Sequence, residues 1–254
     1  MTATGGLGLA GTPGPGPLDP LPVGVIGGVG PLATAYFLQA VVQLTQAERD
    51  QDHLDLVVLN HSSIPDRTAF ILGVSAEDPA PVLAADARRL QRFGVSFLVM
   101  PCNTAHYFTQ QVLDAVTVPL VSIIDVAVDA SIARAAGATT VGLLATAGTI
   151  ASEVYLTAFA ARGVQLIVPD DEDQAILNRV IYDQVKAGKP VDITAVRGVA
   201  ERLEARGAAV VLHGCTELSV VAQDFDLLAE LLFIDSMDQL VRATIRRAGG
   251  TVRS

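Results

Sequence analysis

No tryptophan occurs in this chain, aromatic residues make up only 5% of it, and cysteine and lysine appear twice each. Few aromatics beside a 50% hydrophobic content mean a core of Ala, Val, Leu and Ile. That composition suits buried parallel strands flanked by helices. Two cysteines in 254 residues exclude a disulfide framework; a single bridge between them is the alternative to two free thiols. No run of 18 or more uncharged apolar residues is present, so no transmembrane helix is expected. Positive charge is in deficit, with 17 Lys and Arg against 27 Asp and Glu and a net charge of −10. This argues against nucleic acid as a partner, although a local Arg or Lys can hold an acidic ligand at contact distance. Residues Met1 to Leu21 are rich in Gly and Pro and lack a basic segment followed by an apolar one. They read as a flexible tail rather than a secretion signal, and the protein as soluble and cytoplasmic, without a membrane partner.

What is present is an alternation of short apolar runs and helical patterns, the signature of βαβ units and a parallel sheet. Strands are expected at Val23–Gly27, Leu54–Asn60, Phe97–Met100, Leu120–Ile124, Thr140–Leu144, Gln165–Val168, Val210–His213 and Leu232–Asp235. Helices are expected at Leu32–Glu48, Pro79–Phe93, Thr104–Val116, Val126–Ala136, Ser152–Ala161, Asp171–Ala187, Ile193–Ala205 and Met237–Ala248. A weak internal echo runs through this order. Gly24-Val25-Ile26-Gly27-Gly28 opens one half, and Cys102 lies 78 positions after Gly24. Gly142-Leu143-Leu144-Ala145-Thr146 opens the other, and Cys215 lies 73 positions after Gly142. The expected fold is therefore α/β, with two pseudo-symmetric three-layer halves whose mostly parallel sheets face a central cleft. Residues 22–118 would form the first domain, completed by about 222–254, and residues 119–221 the second, with the boundary near Val118-Pro119.

Each cysteine ends a buried apolar run and precedes small polar residues, in Met100-Pro101-Cys102-Asn103-Thr104 and His213-Gly214-Cys215-Thr216-Glu217. A thiol at a strand's carboxyl end and a helix's N-terminus has its thiolate favoured by the dipole and free N–H groups. Two such sites suggest one thiol for each face of a single substrate. Gly28-Val29-Gly30-Pro31-Leu32-Ala33 fits a loose dinucleotide pattern, but the second strand ends in Asn60-His61 instead of an acidic residue, and Pro31 removes an N–H. A turn that lets a small ligand approach the backbone accounts for these glycines better. Arg67, in Ile64-Pro65-Asp66-Arg67-Thr68 after a strand, is either a solvated loop residue or a bidentate clamp on a carboxylate. Lys186 and Lys189 are the only lysines. No phosphate-cradling context surrounds them, which disfavours pyridoxal phosphate; Lys186 is kept as a second charge for an anionic substrate. Histidines 53, 61, 106 and 213 show no metal-ligand spacing, so no metal is expected. His106 and His213 flank the cysteines and either tune a thiol or simply pack beside the cleft. The acidic run 170–173 reads as a solvated helix cap.

Taken together, these segments resemble the aspartate/glutamate racemase family, most closely its aspartate racemases. The similar stretches are Gly27–Thr34, Ile64–Thr68, Met100–His106, Gly142–Thr146, Val185–Gly188 and Gly214–Glu217, in family order. The resemblance implies a cofactor-independent racemase, often a homodimer, acting on a small acidic amino acid. Its paired catalytic cysteines would be Cys102 and Cys215. Its substrate contacts would be Arg67, Asn103, Thr104, Ala105 and Lys186, with Thr146 and Thr216 beside them. His213 departs from the small or apolar residue expected there. Aspartate is the preferred substrate, with glutamate or both as the alternative, since one methylene is worth only about 1–3 kcal/mol. A related cysteine decarboxylase or cis–trans isomerase needs one thiol in this role, so two thiols favour racemisation. An amino-acid-binding protein without turnover is the reading from another class.

Overall fold

The computed structural model describes residues 21–224 and 233–253; the expected tail lies outside these apart from Leu21. The first half contains β1 (Val23–Gly27), α1 (Pro31–Leu44), β2 (Leu56–Asn60), α2 (Arg67–Ile71), α3 (Ala80–Phe93), β3 (Phe97–Val99), α4 (Thr109–Leu113) and β4 (Leu120–Val121). The second contains α5 (Ile123–Ala135), β5 (Thr140–Leu144), α6 (Ala147–Ala151), α7 (Val154–Ala160), β6 (Gln165–Ile167), α8 (Asp171–Asn178), α9 (Ile193–Ala205), β7 (Val210–His213), α10 (Thr216–Asp224), β8 (Phe233–Asp235) and α11 (Ser236–Arg247).

Two four-stranded sheets result, ordered β2-β1-β3-β4 and β6-β5-β7-β8, with every strand pair parallel. The orders are identical once β5 is set against β1, so the internal echo is a repeated topology. In both sheets the chain crosses from one side of the first strand to the other between the second and third strands. That is the switch point at which open α/β sheets bind ligands. Cys102 follows β3 and Cys215 follows β7, the equivalent strands.

The strands read as continuous apolar runs because helices cover both faces. One buried cluster is common to the two halves, joining Val25, Phe37 and Val99 to Val141, Leu143 and Leu212 through Val128, Leu240 and Ile245. Helix α11 packs on both α1 and α5, so the C-terminal helix is the wedge that fixes one half against the other. Outer clusters centre on Leu83 and Leu98 in the first half and on Val199 and Val211 in the second.

The strand memberships differ from the expected domain division. β4 lies beyond Val118-Pro119 yet pairs with β3, because the Pro119 carbonyl accepts the Leu98 N–H at 2.8 Å and carries the chain into the first sheet. β8 pairs with β7 in the second sheet, so the return to the first half is made by helices, α10 and α11 against α1, and by the segment after α11, where Val252 bridges Thr45. Leu232, the expected first residue of that last strand, lies outside the described residues.

Several boundaries also move for local reasons. Ser122 caps α5, its hydroxyl accepting the Asp125 N–H at 3.1 Å, and this ends the expected strand Leu120–Ile124 early. Thr104–Val116 divides into a 3-10 turn at Thr104–Phe108 and α4. Ser152–Ala161 is broken at Glu153, whose φ of 56° starts α7 afresh. Gly28, at φ 80°, brings the β1–α1 turn against β2; a side chain there would lie 2.3 Å from the His61 carbonyl carbon. This close approach is what the glycine-rich segment provides.

Candidate active site

A cleft opens where the carboxyl ends of the two sheets meet. Its walls include Arg67, Cys102, Asn103 and Thr104 from the first half and Thr146, Lys186, Cys215 and Thr216 from the second. Every expected site residue is therefore on the cleft wall except Ala105, which is fully buried in the outer core of the first half. Its contribution is the backbone N–H offered to the Cys102 sulfur. The cleft is narrow: its space is about 20 Å3, measured to the centre of a water-sized sphere, enough for roughly one water molecule. A wider chamber of about 330 Å3 adjoins it across Arg67, Lys186 and Glu217.

Both cysteines are free and buried, which removes the single-bridge alternative in this structure. Their surroundings are unequal. Burial pushes the Cys102 thiol up, but the Arg67 charge and the Ala105 N–H pull it back. Burial and the Glu217 carboxylate together push Cys215 well above the ordinary cysteine value, with Lys186 opposing them. The Cys215 Sγ donates to Glu217 Oε2 at 3.1 Å. The thiolate preference expected from the helix termini is thus outweighed at both positions: desolvation of a charge costs more than a terminal dipole returns.

Two cations serve the cleft. Arg67 opens α2, and its Nη1 donates to the Pro65 carbonyl at 3.0 Å and the Ile64 carbonyl at 3.3 Å. Its Nε is buried without a partner among the described residues, a donor suited to an anion. Lys186 ends a π-helical segment, Arg179–Val185, that continues α8; such wide turns gather at functional sites. Its Nζ lies 3.6 Å from Glu217 Oε1 and 4.6 Å from the Tyr182 ring centroid. Burial acts to lower its pKa, but Glu217 and Cys215 outweigh burial and raise it, so Lys186 stays charged.

Hydroxyls join the halves across the cleft floor. Thr104 Oγ1 lies 3.1 Å from Thr146 Oγ1 and 2.8 Å from Thr149 Oγ1, and Thr146 caps α6 by accepting the Thr149 N–H. Asp66, Thr68, Val29 and Glu217 also line the cleft. Asp66, Thr68 and Glu217 stand inside the sequence segments already singled out. Their signal was proximity to Arg67 and Cys215; their chemistry needed the fold.

Neither neighbouring histidine presents a charge. Burial pushes both down to about 4. His106 Nδ1 lies 2.8 Å from the Cys102 carbonyl oxygen, and its Nε2 accepts the Ile123 N–H, so this ring holds the first cysteine's backbone. His213 packs at a tilt against Phe233, ring centroids 4.6 Å apart, and its ring nitrogens have no partner among the described residues. A folded pKa depressed from 6.5 to about 4 means the unfolded chain binds more protons in that window. Stability is therefore lost as pH falls from about 6.5 to about 4, by roughly 3 kcal/mol from this group. Burial raises Asp235 to about 6, which acts in the opposite sense below that pH. His213→Leu is expected to move the acid-unfolding midpoint, followed by circular dichroism, to lower pH; an unchanged midpoint counts against this account of the ring. Among the described residues no three His, Cys, Asp or Glu side chains are grouped as metal ligands, and no helix is long and apolar enough to cross a membrane.

Comparison with known proteins adds to this geometry. A family model described as Asp/Glu/hydantoin racemase matches residues 26–244. The broad specificity amino-acid racemase RacX of Bacillus subtilis is 24% identical over 227 residues, covering 88% of this chain and 96% of that protein. Among solved structures, the aspartate racemase of Picrophilus torridus matches with a TM-score of 0.75 at 28% identity, covering 91% of this chain and 96% of that one. The glutamate racemase of Francisella tularensis, in complex with D-glutamate, matches in fold with a TM-score of 0.66 at 16% identity, covering 91% and 81%.

Proposed function

Because the chain belongs to the Asp/Glu/hydantoin racemase family, we propose that it is an amino-acid racemase that interconverts L- and D-aspartate with two cysteines and no cofactor. The observation that carries this reading is the presence of both free cysteines, one from each half, on the wall of one narrow cleft that also holds Arg67 and Lys186.

Racemisation requires groups on both faces of Cα, since one base returning its own proton gives retention. In the proposed step, one cysteine as thiolate takes the α-proton while the other, as thiol, delivers a proton to the opposite face. Each then serves the reverse direction in the other role. Charge developing on the α-carboxylate is held by Asn103 and the Thr104 hydroxyl. Arg67 and Lys186 take the side-chain carboxylate and so fix Cα between the sulfurs. The wider chamber beside Lys186 provides the approach, and the halves part to admit a substrate larger than the narrow cleft.

The direction of both thiol shifts sets the pH dependence. With burial raising each cysteine, the thiolate is scarce at neutral pH, so kcat/KM for aspartate should climb from pH 7 to pH 9. Glu217→Gln removes the negative charge beside Cys215 and should move this rising limb to lower pH; a profile flat across that range contradicts the assignment. The function itself is tested by following each enantiomer of aspartate and glutamate by chiral chromatography, without added pyridoxal phosphate. Aspartate is expected to turn over fastest. Turnover of glutamate alone would transfer the assignment to that substrate, and turnover of neither would remove it.

A further inference from the structure

A buried side chain outside the cleft touches both cysteine turns. Tyr155 lies on α7, immediately after the backbone reversal at Glu153, and is 1% exposed. Its hydroxyl donates to Asn103 Oδ1 at 2.5 Å, so it grips the residue that follows Cys102. Its ring lies against Gly214, the residue before Cys215; a side chain added there would sit 3.0 Å from Tyr155 Cε2. Asn103 is held from a second direction as well, because its Nδ2 donates to Ser236 Oγ at 3.1 Å at the start of α11.

These bonds fix the amide one way round. A neutral phenol donates one hydrogen bond, and burial keeps this one neutral by raising its pKa. Here the phenol gives that bond to Oδ1, with Ser236 as a further hydrogen-bond partner of the phenol, and the NH2 group lies on the other side. One of its two N–H bonds goes to Ser236, and the second, without a partner among the described residues, is available to a carboxylate in the cleft that Asn103 lines. Glu153 is one of only two non-glycine residues at positive φ among the described residues. Backbone held in this region costs about 1–3 kcal/mol and persists where the surroundings demand it. Here it re-aims the chain so that Tyr155 points inward between the two turns.

We infer that Tyr155 is a positioning residue for racemisation, orienting the Asn103 amide as a donor and spacing the Cys102 turn from the Cys215 turn; the inference rests on the proposed racemase reading. Tyr155 touches no reacting atom and acts through Asn103.

The test is a double-mutant cycle of Tyr155→Phe and Asn103→Ala, with kcat and KM measured on aspartate and the Asn103 side-chain amide followed by 15N NMR. Tyr155→Phe keeps the ring and removes only the donor, so the fold is expected to persist; Ser236→Ala probes the same amide from its other side. The expected result is a fall in kcat of about 10- to 100-fold with KM within about threefold, together with a shifted Asn103 amide signal. In the Asn103→Ala background, Tyr155→Phe should have no further effect on kcat. Wild-type kcat in Tyr155→Phe, or losses that multiply in the double variant, would overturn the inference while leaving the racemase reading intact. A wild-type chain that turns over no amino acid removes that reading, and this role with it.

Discussion

Cys102→Ser and Cys215→Ser are each expected to lower racemisation of aspartate by about 1,000-fold or more, with melting temperatures close to that of the parent chain. In the proposed scheme each substitution removes one of two proton-transfer groups, and a group in that role contributes about 100- to 10,000-fold. A serine hydroxyl fills nearly the same buried space but is far less acidic than a thiol. It can neither rest as the base nor give up its proton on the opposite face. The two losses are not equivalent in kind. Each variant keeps one working thiol, so each should still exchange the α-proton of one enantiomer with solvent, and the favoured enantiomer should differ between them. Racemisation at the parent rate in either variant would refute the paired-thiol scheme.

Arg67→Met should raise KM for aspartate by about 100-fold while affecting kcat less. The guanidinium already spends Nη1 on two backbone carbonyls, which hold it at the cleft wall, and its Nε is a buried donor with no partner among the described residues. A carboxylate that meets this donor satisfies it; methionine keeps much of the stem and offers no donor. Losing one member of a desolvated charge pair costs about 2–5 kcal/mol, and about 3 kcal/mol corresponds to this change in affinity. Lys186 is a weaker anchor because Glu217 shares its charge at 3.6 Å. Steady-state kinetics of the variant decide the point, and an unchanged KM would show that Arg67 does not hold the substrate.

The parts of this design legible in the sequence are those that depend on local pattern. Continuous apolar runs such as Val23–Gly27 and Val210–His213 mark buried parallel strands, and their observed limits coincide with the expected ones. The echo between Gly24 and Gly142 foretold a repeated sheet order. Less visible were features set by partners distant in the chain. Leu120–Ile124 is uniformly apolar or small, and only the Ser122 cap separates its short strand from α5. Helix α10 lies directly after Cys215 but was not delimited, since Thr216 and Glu217 do not announce a helix by period. Residues Asp171–Ala187 suggest one regular helix, while the structure widens the second part into a π segment that ends at Lys186.

In the site, cysteine and lysine stand out because the chain has two of each. Cys102, Cys215 and Lys186 are legible from scarcity and setting and Arg67 from its place after a strand, and all four reach one cleft. What scarcity could not supply was the sign of the thiol shifts. A helix N-terminus after each cysteine argues for thiolate, but complete burial and the Glu217 carboxylate argue more strongly for thiol. Tyr155 and Ser236 carry no signal in the sequence for a related reason. They stand 52 and 133 positions from Asn103, and nothing in their own neighbourhoods points toward it.

The most direct test of two thiols flanking one Cα is racemisation of L-aspartate in deuterium oxide, with the isotope at Cα followed in both enantiomers at low conversion. A thiolate that takes the α-proton and a separate thiol, already carrying deuterium, that delivers to the other face should yield D-aspartate deuterated at Cα, with the residual L-aspartate still protiated. Product that keeps its original proton, or residual L-aspartate deuterated as fast as product forms, would contradict the account.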